Sequence, residues 1–154
     1  MSNLELITTY YRYQQWANRH LLDAAALPPF ELLTTPVLTG FDPVRSALVH
    51  TMWAQMLWLH RFQGLPRVPE IKPEDFADLA SLRQRWDEID AETDAFLDIL
   101  TEEQLNSGDP PLWRIMLHQA NHQTYHRGEI AAVLTHLGAS PGELDLNRMF
   151  DGRR

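Results

Sequence analysis

The sequence contains no cysteine, and this absence excludes several classes of site at once. No disulfide framework can form, no thiol of the chain can act as a nucleophile, and no thiolate can bind a metal ion. Any metal site must therefore use nitrogen and oxygen ligands. At 154 residues the chain is long enough to bury a core without cross-links, and we expect one domain over residues 1–154.

Basic residues and long apolar runs are also scarce. The 13 Lys and Arg oppose 21 Asp and Glu, which leaves a formal net charge of −8, and no basic patch is visible apart from Arg153 and Arg154. This balance disfavours nucleic-acid binding, which relies on clustered cations. No run approaches the roughly 18 apolar residues that span a bilayer, and the N-terminal segment lacks the apolar region of a secretory signal. We expect a cytoplasmic protein that binds neither nucleic acid nor membrane.

Apolar residues recur at steps of three and four along four segments, a pattern typical of amphipathic helices. The predicted helices cover about residues 3–27, 43–63, 78–101 and 111–137. Ser2 and Glu5 are placed as a capping box before the first helix, and Gly138 is placed to end the last one. No segment shows the alternation of a strand. The sequence therefore predicts an all-α fold, a four-helix bundle with long connections between its helices.

The last predicted helix contains His118, His122 and His126 at intervals of four residues. A helix turns about 100° per residue, so each step of four returns a side chain to within about 40° of the same face. Imidazoles on a partly apolar face need partners, which are either hydrogen-bonding groups or a shared metal ion. His50 lies on an apolar stripe of the second helix, where we expect it to face inward as a third candidate ligand.

His50, His122 and His126 thus form a candidate metal site drawn from two helices. Three neutral imidazoles suit Zn²⁺ or Ni²⁺, with Fe²⁺ and Mn²⁺ as further candidates, and three protein ligands leave positions open for water or substrate. His118 is a possible fourth ligand, but its rotation away from the other two favours a role in supporting the ligands or in the structure of the bundle. The residues leave three alternatives open: an enzyme, a bundle stabilised by a non-catalytic ion, and a metal-free bundle with hydrogen-bonded histidines.

Several segments together resemble the DinB/YfiT-like superfamily of bacterial four-helix-bundle proteins: WANRHLLDAA, LVHTMWAQMLWLHRF, NHQTYHRGEI and LDLNRMF. The resemblance covers nearly the whole chain. Its most specific part is the N-H-x-x-x-H-R-G pattern, which occurs together with a histidine in the second helix. It implies a divalent metal ion bound by His50, His122 and His126. Members of this superfamily are known as metal-dependent enzymes, and dimers are common among them.

The resemblance favours a thiol-dependent S-transferase, since some members use low-molecular-weight thiols such as bacillithiol or mycothiol. It would act on a small-molecule substrate as a homodimer. The alternatives are a metal-dependent hydrolase and a non-catalytic metal-binding protein associated with stress. Because the chain has no cysteine, the nucleophile must be an external thiol or a water molecule activated by the ion. Gln55 stands where relatives often have a carboxylate, which disfavours a hydrolase with its base at that position.

The neighbours of the histidines carry more specific expectations. Arg127 is expected to pair with a carboxylate rather than to bind an anionic substrate. Glu129, which is rotated by 300° from His126, is expected to be a surface charge rather than the acceptor of a ring N–H. Tyr125 and Gly128 are expected to serve helix packing. The acidic run of the third helix is expected to be a solvated face; it comprises Asp87, Glu88, Asp90, Glu92 and Asp94.

Overall fold

A computed structural model describes residues 2–152, and its regular structure is helical throughout that range. Four long α-helices form the body of the molecule, three short α-helices lie in the connections and the C-terminal segment, and Pro73–Asp75 form one turn of 3-10 helix. In chain order the helices are α1 (Asn3–Ala25), α2 (Phe30–Leu33), α3 (Val44–Phe62), α4 (Leu79–Ile99), α5 (Glu102–Leu105), α6 (Leu112–His136) and α7 (Leu146–Phe150). The predicted all-α bundle of four long helices is confirmed.

The ends of the long helices follow from local hydrogen bonding. At the start of α1 the Ser2 hydroxyl accepts a hydrogen bond from the Glu5 amide, and the Glu5 carboxylate accepts one from the Ser2 amide, so the expected capping box is present. After α6, Gly138 adopts a φ of 77°, which favours glycine. This turn lets the Ala139 amide donate to the Leu134 carbonyl at 2.8 Å, which satisfies a carbonyl at the helix end.

The core consists of two apolar clusters separated by a layer of buried polar side chains. The larger cluster includes Leu48, Trp86 and Leu134, and the smaller one includes Ile7 and Met116. Every long helix contributes to the polar layer, whose members are Gln14, Gln15 and Asn18 of α1, Thr51 and Gln55 of α3, Asp90 and Thr93 of α4, and Gln119, Gln123 and Arg127 of α6. Because buried polar atoms need hydrogen-bond partners, this layer restricts how the four helices can be aligned.

Asp90 departs from the solvated acidic face expected of α4. The other four members of the acidic run are exposed, but Asp90 is only 5% exposed. It follows Trp86 by four residues and precedes Leu97 by seven, so it falls on the buried stripe of the helix. The Gln55 side-chain amide donates to its carboxylate at 2.8 Å. Burial raises the pKa of Asp90 to about 6, because the charged form is poorly solvated there.

The connections and the C-terminal segment cover the larger apolar cluster. Val37, Leu38 and Phe41, from the connection between α2 and α3, pack against it. The C-terminal segment packs back on the bundle as expected: Leu144 contacts the same cluster, and its carbonyl accepts a hydrogen bond from the Tyr13 hydroxyl at 2.6 Å. Within residues 2–152, no helix is both long enough and apolar enough to cross a membrane.

Candidate metal centre

The three candidate histidines come together where α3 faces α6. One ring nitrogen from each of His50, His122 and His126 lies within 4.8 Å of those of the other two. The ring centroids of His122 and His126 are 4.4 Å apart, and that of His50 lies 4.9 Å from His126 and 5.9 Å from His122. The four-residue spacing on α6 and the contact between the two helices therefore produce one cluster of three imidazoles.

The geometry of the α6 pair fits the donor set of a transition-metal site. The Nε2 atoms of His122 and His126 are 3.1 Å apart. Two ligands at tetrahedral positions, with metal–nitrogen bonds of 2.0–2.1 Å, would be separated by about 3.3 Å. On the other edge of its ring, His126 Nδ1 lies 2.8 Å from a Glu129 carboxylate oxygen. An ionised carboxylate can only accept, so Nδ1 carries the proton and the Nε2 lone pair faces the other histidines.

The surroundings of the cluster favour neutral imidazoles, the form that binds metal ions. Burial lowers the pKa of His50 and of His122, and the nearby imidazole of His126 lowers both further. His122 and His126 are half-buried, whereas His50 is exposed. The expectation that His50 faces inward is therefore wrong: its ring contacts His122 and His126 of α6 but lies at the rim of the contact between the two helices, where an open hollow leaves it exposed.

That hollow has a volume of about 470 Å³ and reaches the surface beside the histidines. Its wall combines the loop before α3 with residues of α3 and α6, namely Gly40, Phe41, Asp42, Val44, Ala47, His50, His126, Glu129, Ile130 and Val133. The lining is apolar toward the bundle and polar where Asp42, His50, His126 and Glu129 meet. A small molecule with an apolar portion and one reactive group can therefore approach the cluster from this side.

Comparison with known proteins assigns the chain to a family. The model of the DinB family matches residues 1–153. The chain belongs to the DinB family. A relative, Protein DinB of Bacillus subtilis (strain 168), is 25% identical over 156 residues, and the alignment covers 88% of each chain. The resemblance inferred from the sequence motifs is confirmed, and the most specific of those motifs contributes two of the three clustered histidines.

Glu129 is the main residue of this candidate site whose role the sequence did not reveal. The expectation of a plain surface charge is wrong, since its carboxylate is only half-exposed and bonds to His126. A rotation of 300° in one direction is only 60° in the other, so residues three apart on a helix are neighbours. That spacing was the available signal. The loop from Gly40 to Asp42 gave no comparable signal, because its position depends on contacts distant in sequence.

Arg127 follows a clustered histidine directly but points into the bundle. It is 2% exposed, and its guanidinium donates to the Asn18 side-chain oxygen at 3.1 Å and to the Thr124 hydroxyl at 2.9 Å. The guanidinium carbon also lies 5.1 Å from the Tyr13 ring centroid. No carboxylate within residues 2–152 pairs with it, so the expected ion pair is wrong. Its burial assigns it to the polar layer and keeps it from contacting a substrate.

The expectation that Tyr125 and Gly128 serve helix packing is wrong. Tyr125 is 65% exposed, and the neighbouring Glu129 carboxylate raises the pKa of its hydroxyl. Its ring lies edge-on to His126 with centroids 5.4 Å apart. Gly128 is exposed, and a Cβ added there would meet no atom within 4 Å. Both residues therefore lie on the solvent side of α6, next to the histidine cluster.

His118 and Gln55 lie outside the cluster. His118 is exposed and packs edge-on against Trp58, with ring centroids 5.8 Å apart, and it is not a member of the cluster of three imidazoles. Gln55 faces α4, where it donates to Asp90 and its carbonyl oxygen accepts a hydrogen bond from the Trp86 indole at 2.9 Å. Position 55 therefore belongs to the contact between α3 and α4.

Proposed function

We propose that this member of the DinB family is a divalent-metal-dependent enzyme whose ion is held by His50, His122 and His126. The reaction we propose is the transfer of a low-molecular-weight thiol to an electrophilic small molecule, a thiol-dependent S-transferase reaction. The observation that supports this best is the convergence of three imidazoles from two helices at the edge of an open hollow. The homodimer and the cytoplasmic location stay predictions.

The donor set favours a catalytic ion over a purely structural one. Zn²⁺ and Ni²⁺ are the best candidates for three imidazoles, followed by Fe²⁺ and Mn²⁺. A structural zinc site is normally closed by four protein ligands, whereas three ligands leave room for an exchangeable one. An ion bound there supplies Lewis acidity, which favours the deprotonated form of a thiol or of water. The exposure of His50 keeps this side of the cluster accessible from solvent.

The chain's own residues prepare the site in two ways. Glu129 holds His126 in the tautomer that directs Nε2 toward the other imidazoles. Phe41 and Ala47, which are half-buried in the wall of the hollow, offer apolar area on which the carbon skeleton of a substrate can pack. Because the chain contains no cysteine, the attacking sulfur must belong to a second substrate that enters the same hollow.

A metal-dependent hydrolase is the second candidate, and one observation favours it. Asp42 lines the hollow together with His50, so a carboxylate is available there as a general base although Gln55 is not. Substitution of Asp42 distinguishes the two candidates. Asp42→Asn should abolish a hydrolase that depends on this base, and it should leave most of a transferase activity intact if the thiol is deprotonated with the help of the ion.

The metal site is tested first, by elemental analysis and Zn²⁺ titration of the purified, untagged protein. We expect about one ion per chain in the wild type, because one cluster of three imidazoles is present. His122→Ala and His126→Ala should lose stoichiometric binding. His118→Ala is the matched control on the same helix and should retain the ion. Loss of the ion in His118→Ala alone would contradict the assigned ligands.

The reaction is tested with the metal-loaded protein. Consumption of bacillithiol, mycothiol or another low-molecular-weight thiol is followed in the presence of a chlorinated aromatic electrophile, and ester hydrolysis is followed in parallel. Thiol consumption that requires both the ion and His126 would support the transferase. Ester hydrolysis that requires the ion and Asp42, without any thiol, would support the hydrolase in its place.

A further inference from the structure

A second feature of the surface lies around Trp58, near the C-terminal end of α3. Three exposed arginines surround it: Arg61 of α3, Arg67 of the following connection and Arg114 of α6. We call these residues, together with His118, the Trp58 surface. The expectation that no basic patch precedes the C-terminal arginines is wrong, because the cations of the Trp58 surface come from separate segments that only the fold brings together.

Trp58 stands between two hollows of the surface. One has a volume of about 510 Å³ and is lined by Trp58 with Arg61 and Arg67. The other, of about 410 Å³, is lined by Trp58 with Arg61, Arg114 and His118. The Arg61 guanidinium carbon lies 4.9 Å from the Trp58 ring centroid, so the aromatic ring orients this cation between the hollows.

The arginines of this surface are not neutralised by the chain. Within residues 2–152, none of Arg61, Arg67 and Arg114 forms an ion pair with a carboxylate. Asp109 lines the hollow beside Arg114, and the residues that the structure describes along the hollow beside Arg67 include no acidic one. The protein as a whole carries a formal net charge of −8. A positive region on such a protein attracts anions that the rest of its surface repels, within a screening length of about 8 Å at physiological salt.

The chemistry of the surface defines the class of ligand. Guanidinium groups bind carboxylates and phosphates through paired, charge-assisted hydrogen bonds. Trp58 and the half-buried Leu57 offer apolar area beside those donors. We propose that the Trp58 surface binds a small organic anion that has a carboxylate or phosphate group and a planar or apolar portion. This site is separate from the histidine cluster and does not depend on the proposed reaction.

The test is a titration of the ¹⁵N-labelled, metal-loaded protein, followed by two-dimensional NMR at constant ionic strength. The probes are phenyl phosphate and benzoate, with benzyl alcohol as the neutral analogue. We expect saturable shifts of the Trp58 indole N–H and the Gly64 amide with the anions and not with the alcohol. Tighter binding of phenyl phosphate would identify a phosphate ligand, and tighter binding of benzoate would identify a carboxylate ligand.

Variants establish which residues carry the binding. Arg61→Ala and Arg114→Ala should each weaken it about tenfold, the effect of losing one charge-assisted hydrogen bond. Arg12→Ala removes the same charge from an exposed position on α1 and should leave binding unchanged. Binding should also persist in His122→Ala, which separates this site from the metal. Shifts that do not saturate, an equal loss in Arg12→Ala, or equal binding of benzyl alcohol would overturn the proposal.

Discussion

At the scale of single residues, Glu129 holds the ring of His126, one of the three proposed ligands. Its carboxylate accepts a hydrogen bond from His126 Nδ1–H and so fixes the ring tautomer, with the Nε2 lone pair directed toward the other imidazoles. We predict that Glu129→Ala lowers Zn²⁺ affinity by about 10- to 100-fold, the usual effect of removing such a partner. Glu129→Gln should lower the Zn²⁺ affinity less, since the amide oxygen of glutamine can still accept the hydrogen bond from His126. Competition with a chromophoric chelator measures both affinities.

The control for Glu129 is Glu103→Ala, which removes the same charge from an exposed position on α5. Its Zn²⁺ affinity should equal that of the wild type. Equal losses in Glu103→Ala and Glu129→Ala would mean that only the net charge matters, and the positioning role of Glu129 would then be rejected.

Asp90 links the stability of the protein to pH. Its pKa is raised from 3.8 to about 6, so between these values the folded state binds more protons than the unfolded state. The free energy of unfolding must therefore fall as pH rises through this window, by roughly 2–3 kcal/mol for a shift of this size. The Asn side chain of Asp90→Asn can still accept a hydrogen bond from Gln55 but does not ionise, so the free energy of unfolding should no longer fall through this window. This variant should match the wild type near pH 4 and be more stable at pH 8.

Urea denaturation at pH 4, 6 and 8, with chelator present so that metal binding does not contribute, measures this difference. Asp87→Asn is the matched control, because Asp87 is exposed on the same helix. It should differ little from the wild type across the range. A stability gap between Asp90→Asn and the wild type that is the same at all three pH values would contradict the assigned titration.

The α6 half of the histidine cluster could be predicted from the sequence because its spacing is local. His122 and His126 share a face of α6 by helix geometry alone. Asp90 could have been identified in the same way, from its place four residues after Trp86. Arg127 shows where local reasoning stops, since its partners Asn18 and Tyr13 belong to another helix. No pattern within α6 specifies them.

At the scale of the helices, α6 contains a glycine, Gly128, at a position where packing does not require one. Gly128 is exposed within the helix and has open space around its Cα. Glycine costs a helix about 0.5–1 kcal/mol relative to alanine. We predict that Gly128→Ala raises the free energy of unfolding by that amount in a urea titration. Zn²⁺ affinity should be unchanged, because the added methyl group meets no neighbour.

Gly138 provides the contrasting substitution at the end of the same helix. Its φ of 77° is strained for any other residue, so Gly138→Ala should destabilise the protein although the surrounding space is also open. If both alanine variants changed stability in the same direction, backbone conformation would not explain their effects.

The helices themselves could be predicted more completely than their connections. Capping residues and apolar spacing located α1, α3, α4 and α6, because these signals act within one or two turns of the chain. The connection before α3 packs on the larger apolar cluster through Val37, Leu38 and Phe41, residues with no regular spacing. This connection also forms one wall of the hollow. The shape of the candidate site was therefore the part that sequence patterns could not supply.

At the scale of the whole molecule, the histidine cluster joins α3 to α6, so an ion bound there should stabilise the bundle. At a free Zn²⁺ concentration 100 times the Kd, binding to the folded state raises the free energy of unfolding by about 2.7 kcal/mol. For a chain of this length, each kcal/mol raises the Tm by about 2–4 °C, so we predict a rise of roughly 5–10 °C. Thermal unfolding with and without Zn²⁺ measures the shift.

Two variants distinguish an ion that links α3 to α6 from an ion that is bound by the histidines of α6 alone. His50→Ala removes the α3 ligand and leaves the α6 pair, so most of the shift in Tm should disappear even if weak binding remains. His136→Ala removes an exposed histidine at the end of α6 and should keep the full shift. An undiminished shift in His50→Ala would mean that the ion binds α6 alone. The stabilisation would then not arise from a link between the two helices.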